Sequence, residues 1–300
     1  MPFYGGIEAG GTKFVCIVAA SPQEIVEEVR FPTTSPQETL GRSLDFFSRH
    51  ARRLDLVSIG VAAFGPVDLD SASSTFGYIT TTPKPGWAFT DVVGALQSGL
   101  RLPVAFDTDV NGAAFGEYTW IPANHDKDPL LYMTVGTGIG VGGIFNGSLM
   151  HGLVHPEMGH MRIPHDTGVD PFPGTCPYHG DCFEGLASGP AMLQRWGQPA
   201  ESLPPDHPGW DLEAHYIALA VMNLVCCLSP RRIVLGGGVM QKEGLILQVR
   251  HHVQVLLNGY IRSPAVLEDI EGYLVLPGLG HRSGVMGAVA LAIALAKEKA

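Results

Sequence analysis

Residues 6–19 read GIEAGGTKFVCIVA, an apolar run, a turn of small residues at Gly10, Gly11 and Thr12, and a second apolar run. A glycine turn that joins two strand-like runs is a β-hairpin rather than a strand entering a helix. A dinucleotide fingerprint opens a helix, and a Walker A loop sets Gly-Lys-Ser/Thr before one; residues 10–13 do neither. Backbone N–H groups and the Thr12 hydroxyl of such a turn can still hold phosphate oxygens, beside Lys13. Glu8 is placed to act on Mg²⁺, directly or through water.

The pattern recurs at residues 130–145, LLYMTVGTGIGVGGIF, with the turn at Gly136, Thr137 and Gly138. Two hairpins in separate halves can grip the phosphates of one nucleotide from opposite sides. A purely structural turn has no reason to appear once in each half.

Working outward, residues 35–53 form an amphipathic helix capped by Ser35, on which His50 reads as a surface residue. A buried strand at 56–62 ends in the sharp turn Phe64-Gly65-Pro66. The loop TTTPKPGW, residues 80–87, either lines a sugar pocket with Lys84 or the Trp87 ring, or packs Trp87 in the core. A helix at 91–100 and a strand at 104–106 lead to Asp109, at a strand-to-helix boundary. A carboxylate there lies near the positive end of a helix, where it either caps the helix or faces a ligand. The polar, proline-containing stretch 118–129 is the candidate hinge. Helices at 188–196, 210–228, 243–258 and 284–296 and strands at 233–235 and 274–276 complete the chain, with a Gly236, Gly237, Gly238 turn where a flat ring can approach the backbone. The class is α/β, with lobes over 1–118 and 119–300, a cleft between them, and a C-terminal helix that can return to the first lobe.

Residues 155–190, HPEMGHMRIPHDTGVDPFPGTCPYHGDCFEGLASGP, hold the densest set of ligand-forming side chains. His160, Cys176, His179 and Cys182 can surround one Zn²⁺ ion and so fasten a loop rich in proline and glycine. Glu157 and Glu184 bracket the cluster and can accept hydrogen bonds from a polyhydroxylated ligand.

Composition narrows the partners. With 19 basic against 29 acidic residues the formal charge is −10, and no basic run exceeds two residues, so nucleic acid is not an expected partner. The longest apolar run, 285–296, is too short to span a bilayer, and the N-terminus lacks the charged and apolar regions of a signal peptide, so no membrane is expected. Cys16, Cys226 and Cys227 lie in apolar runs and read as small core residues. Together these features place the protein in the reducing cytoplasm.

The set IEAGGTK (7–13), DVNGAA (109–114), VGTGIG (135–140), EMGH (157–160), CPYHGDCFEG (176–185), SGP (188–190) and VLGGG (234–238), in this order, resembles the ROK family of sugar kinases and repressors. The resemblance covers nearly the whole chain and is nearest the bacterial fructokinase branch through CPYHGDC and TTTPKPGW. It implies the two-lobed sugar kinase/actin-like ATPase (ribonuclease H-like) fold, an interlobe cleft, a homodimer, and transfer of phosphate from ATP with Mg²⁺ to a free hexose, fructose. Asp109 becomes the general base. Glu157, His160, Glu184, Asn111 and Gly65 hold the sugar, and Gly236 to Gly238 border the adenosine. His160 serves zinc with one ring nitrogen and the sugar with the other. Three departures stand out: Thr108 and Pro83 where many relatives carry Asn, and His179 with shifted spacing where many use a third cysteine. A broader hexokinase or mannokinase is the alternative within enzymes. A sugar-sensing regulator is the alternative outside them, although regulators carry a DNA-binding segment before the first glycine turn, where this sequence has five residues before Gly6.

Overall fold

The computed structural model describes residues 2–299. The first hairpin forms as read: β1 (Phe3–Ala9) and β2 (Lys13–Ser21) pair antiparallel, and β3 (Glu24–Pro32) extends the sheet. On the other side of β1 lie β4 (Leu56–Ala63) and, after the small hairpin of β5 (Tyr78–Ile79) and β6 (Thr90–Asp91), β7 (Val104–Thr108). The order is β3-β2-β1-β4-β7, with β1, β4 and β7 parallel. The strand β3 is not evident in the sequence because EIVEEVRFP carries four charged side chains. As the edge of the sheet it presents Glu24, Glu27 and Arg30 to water, while Glu28 pairs with Arg30 and Arg282; charge on an edge strand discourages pairing with another chain.

The second sheet repeats this plan with β8 (Leu130–Val135), β9 (Ile139–Phe145), β10 (Ser148–Leu149), β11 (Arg232–Gly236) and β12 (Leu274–Val275). Its order is β10-β9-β8-β11-β12, antiparallel through the hairpin and parallel through β8, β11 and β12. The recurrence of one turn in the sequence is thus a recurrence of an entire sheet.

Ser35 caps α1 (Pro36–Ala51), and Asp91 caps α2 (Val92–Leu100); both helices cover the first sheet. The second sheet is covered by α4 (Phe183–Ala187), α6 (Gly209–Leu228) and α7 (Leu245–Leu257), with α5 (Gly189–Trp196), α8 (Pro264–Leu267) and α9 (Ile270–Tyr273) around them. By length and composition α6 can cross a bilayer, yet most of it is buried in this core. Two helices join the halves. α3 (Asp109–Trp120) touches β4 and β7 of one sheet and β8 and β9 of the other. α10 (Ser283–Glu298) returns from the end of the chain to pack on β1, β4 and α3. Small residues make this possible: a Cβ on Gly287 of α10 would collide with the Gly112 carbonyl of α3. Glu117, buried on α3, accepts from Ser283 Oγ at 2.7 Å and from the Gly278 and Leu279 amides at 2.9 and 3.0 Å, which fixes the start of α10.

Three expectations need correction. Cys226 and Cys227 are exposed, because the core face of α6 runs through Ile217, Val221, Leu224 and Val225 and the two thiols point away from it. His50 is buried rather than on the surface, its ring 4.9 Å from that of Phe46 and Nε2 3.1 Å from Glu27 Oε2. α3 continues through Trp120, two residues past the start of the expected hinge, and Arg232 braces the turn after it by donating to Ala123 O and Asn124 Oδ1, both at 2.8 Å.

Gly287→Ala is expected to cost about 1–3 kcal/mol by forcing α10 off α3. Urea unfolding checks this, and an unchanged midpoint would mean that the crossing yields without strain.

Candidate active site

The carboxyl end of β7 sets the site. Thr108 is the N-cap of α3: its Oγ1 accepts the Asn111 amide hydrogen at 3.1 Å. Capping therefore falls to Thr108, and Asp109, the first helical residue, is free of it. Thr108 is buried, with its hydroxyl engaged in the cap. Asp109 is partly accessible and accepts from the Val110 amide at 2.9 Å. Burial, then the nearby Glu8 and Glu157 carboxylates, push its carboxyl up to about 7. No local sequence pattern foretells this shift, since Glu8 and Glu157 are distant in the chain.

Asn111 needs correction as a sugar ligand. It is fully buried, with Nδ2 donating to Asp107 Oδ1 at 2.8 Å and to Met150 O at 3.1 Å, while Oδ1 accepts from the Gly143 amide at 3.0 Å. Its amide is occupied in tying α3 to the second sheet. Asp107, missed in the sequence, accepts from the Thr108 amide at 2.7 Å with Oδ1 and meets His151 Nε2 at 2.8 Å with Oδ2. His155, also missed, is buried and accepts the Val67 amide hydrogen at 3.0 Å on Nε2, which lays the 151–157 loop against the turn at Gly65. A Cβ on Gly65 would stand 3.2 Å from the His155 ring. Gly65 thus packs against the His155 ring.

The first glycine turn is held by Thr33, whose hydroxyl donates to Gly10 O at 2.6 Å and whose amide donates to Thr12 O at 2.9 Å. Thr12 and Lys13 are exposed, and nothing lies within 4 Å of where a Gly11 Cβ would be. Glu8, at the inner end of β1, meets the Val285 amide at the start of α10, and burial raises its carboxyl. In the second turn the Gly136 amide donates to Gly138 O at 3.0 Å and Thr137 is exposed. Gly237, at φ +94°, packs against Val135, and Gly238 beside it is open, so the 236–238 turn adjoins the 136–138 turn. Trp87 is a core residue, its Nε1 donating to Thr34 O at 2.8 Å. Lys84 lines a groove of 450 Å³ with Thr33 to Gln37 at the start of α1.

His160, Cys176, His179 and Cys182 come together, with ligand atoms all within 4.8 Å of one another. Cys176 Sγ is 3.6 Å from both His160 Nδ1 and His179 Nδ1, and Cys182 Sγ is 3.5 Å from His160 Nδ1. For tetrahedral zinc with ordinary Zn–S and Zn–N bonds, the S···N edge is about 3.6 Å, so the donor set fits that ion. Paired hydrogen bonds between Cys176 and Gly180 shape the knuckle. Burial pushes the Cys182 thiol up to about 11, so a thiolate there calls for a cation in place of the proton. His160 turns Nε2 the other way, 3.9 Å from Glu184 Oε1. Glu157 is exposed at the surface of the site, and its carboxyl is raised, chiefly by desolvation, with His160 opposing and Glu184 adding to the shift.

The ROK family profile matches residues 4–295. The chain belongs to the ROK family. Its ROK relatives include a fructokinase of Zymomonas mobilis, 45% identical over 97% of this chain and 96% of its own length. A fructokinase of Streptococcus mutans is 43% identical over 96% of this chain and 97% of its own. The structure of a ROK family glucokinase from Streptomyces griseus, in complex with glucose and AMPPNP, superposes with a TM-score of 0.78 at 23% identity, over 97% of this chain and 99% of that one. The fold is therefore the two-lobed sugar kinase/actin-like ATPase fold of ROK proteins.

The Asp109 shift has a stability consequence. Its carboxyl rises from 3.8 to about 7 on folding, so between these values the folded state holds a proton that the unfolded state has lost, and stability falls as pH rises through the window. Asp109→Asn is expected to raise Tm at pH 8 and to leave it nearly unchanged at pH 4, in Mg²⁺-free buffer. Equal shifts at both pH values would remove the buried charge as the cause.

Proposed function

We propose that the protein is an ATP-dependent fructokinase, converting D-fructose and ATP to D-fructose 6-phosphate and ADP. The observation that carries the reading is Asp109, a desolvated carboxylate at the start of α3, released from capping by Thr108 and accompanied by two open glycine turns. The fructokinases of Zymomonas mobilis and Streptococcus mutans, similar over almost the entire chain, support fructose as the hexose.

The sugar hydroxyl gives its proton to Asp109 as its oxygen bonds the γ-phosphorus, and the bond from that phosphorus to the ADP oxygen breaks. Burial raises the basicity of Asp109, and the helix N-terminus behind it favours the charged form. The turns at Gly10 to Lys13 and Gly136 to Gly138 would hold the phosphates through backbone amides, and Gly236 to Gly238 would border the base. Glu8 would hold Mg²⁺, directly or through water; the excess of carboxylate over basic groups suits a divalent cation, which supplies charge neutralisation on the phosphates. Glu157, His160 and Glu184 would take sugar hydroxyls, and Gly65 would border them.

Zinc on His160, Cys176, His179 and Cys182 would be structural, since four protein ligands leave no open position. Both cysteines must stay reduced to bind it, which supports a cytoplasmic setting.

Transfer to fructose, mannose, glucose and N-acetylmannosamine should be followed as sugar phosphate. Fructose is expected to have the highest kcat/KM, and Asp109→Asn to lower kcat about 10²–10⁴-fold with sugar binding kept. A higher kcat/KM for mannose or glucose would replace the fructokinase reading with a broader hexokinase. Cys176→Ala is expected to lose zinc and weaken sugar binding; stoichiometric zinc in that variant would reject the ligand set.

A further inference from the structure

The stretch that links the metal knuckle to the core touches the second glycine turn twice. At one end of the turn, the Gly189 amide donates to Gly136 O at 2.7 Å. At the other, the Ile139 amide donates to Glu184 Oε2 at 2.9 Å. Residues 184–189 therefore clamp the turn at both ends, leaving Thr137 exposed between them. The approach is close: a Cβ on Gly138 would stand 2.9 Å from Glu184 Oε2.

The position of Glu184 is in turn set by the knuckle. It lies two residues beyond Cys182 at the start of α4, and the Thr175 amide donates to Gly185 O at 2.9 Å. Glu184 Oε1 faces His160 Nε2 at 3.9 Å, and the Nδ1 of that ring faces the sulfurs of Cys176 and Cys182. The two carboxylate oxygens thus serve different neighbours, one the His160 side and one the glycine turn.

We infer that Glu184 is a positioning residue for the second glycine turn, through which the metal knuckle sets the shape of the nucleotide site independently of the sugar. This rests on the reading that the turn holds phosphate and the knuckle holds zinc. An ionised acceptor on a backbone N–H gives a short, strong hydrogen bond, and it fixes the peptide that begins β9.

The test is calorimetric binding of Mg²⁺ with a non-hydrolysable ATP analogue to the zinc-loaded protein, without sugar, with zinc content measured for each variant. Glu184→Ala is expected to weaken binding about tenfold, as loss of a charged acceptor implies, with zinc retained. Glu184→Gln keeps an oxygen that can accept from Ile139 and is expected to restore nucleotide affinity while sugar affinity stays low. Wild-type nucleotide affinity in Glu184→Ala would overturn the inference. Thr137→Ala separates the two readings: weakening there with none in Glu184→Ala keeps the turn as a phosphate site and rejects the positioning role. No weakening in either rejects the assignment of the turn to nucleotide. Should Glu184→Ala fail to fold, Gly138→Ala disturbs the same contact from the other side and is expected to give the same sugar-independent loss; unchanged affinity there would count against the inference.

Discussion

The hydrogen bond from the Asn111 amide to Thr108 Oγ1 decides what Asp109 is for. A helix start must have its free N–H groups answered, and an acidic residue at that point ordinarily answers one. Here the preceding hydroxyl takes the Asn111 amide, the N-cap bond, while Asp109 takes only the adjacent Val110 amide, with Oδ1. The surroundings then determine its chemistry. Burial and two neighbouring carboxylates make its charge costly, and this raises its proton affinity into the range useful to a base at neutral pH.

That carboxylate has a fixed place because α3 is held from three directions. Asn111 joins it to β9 and the 150 loop, Glu117 joins it to the start of α10, and glycine contacts let α10 lie against it without a gap. The two sheets, alike in strand order, each carry a glycine turn in the hairpin at the corresponding place. Glu8 stands at the end of one hairpin and Glu184 against the other. The zinc-fitting knuckle lies outside the reacting groups, yet its histidine and the nearby Glu184 extend its rigidity inward.

Much of this is legible in the chain because its cause is local. Strand-turn-strand patterns, the Ser35 cap, the strand-to-helix break at Asp109 and the spacing of Cys176, His179 and Cys182 are set by residues near one another in sequence. The features that are not legible depend on distant partners. His151 acts through Asp107, 44 residues away, and His155 through Val67, 88 residues away; no pattern within the 151–157 loop marks either. Asn111 sits in a motif that suggests a ligand, yet its amide is taken by Gly143, Met150 and Asp107. β3 is hidden because its charged residues suit an edge strand and mask the period that would reveal one. Cys226 and Cys227 end an apolar run, but helix rotation carries them past the core face.

In the nucleotide-free protein Asp109 lies in a setting where burial and the Glu8 and Glu157 carboxylates oppose its charge. Its carboxyl can be followed directly by ¹³C NMR of nucleotide-free protein labelled at the aspartate carboxyl carbon, with Asp109→Asn to assign the signal. Titration near pH 7 is the expected result. A signal that titrates at or below the ordinary aspartate range, about pH 4, would contradict it.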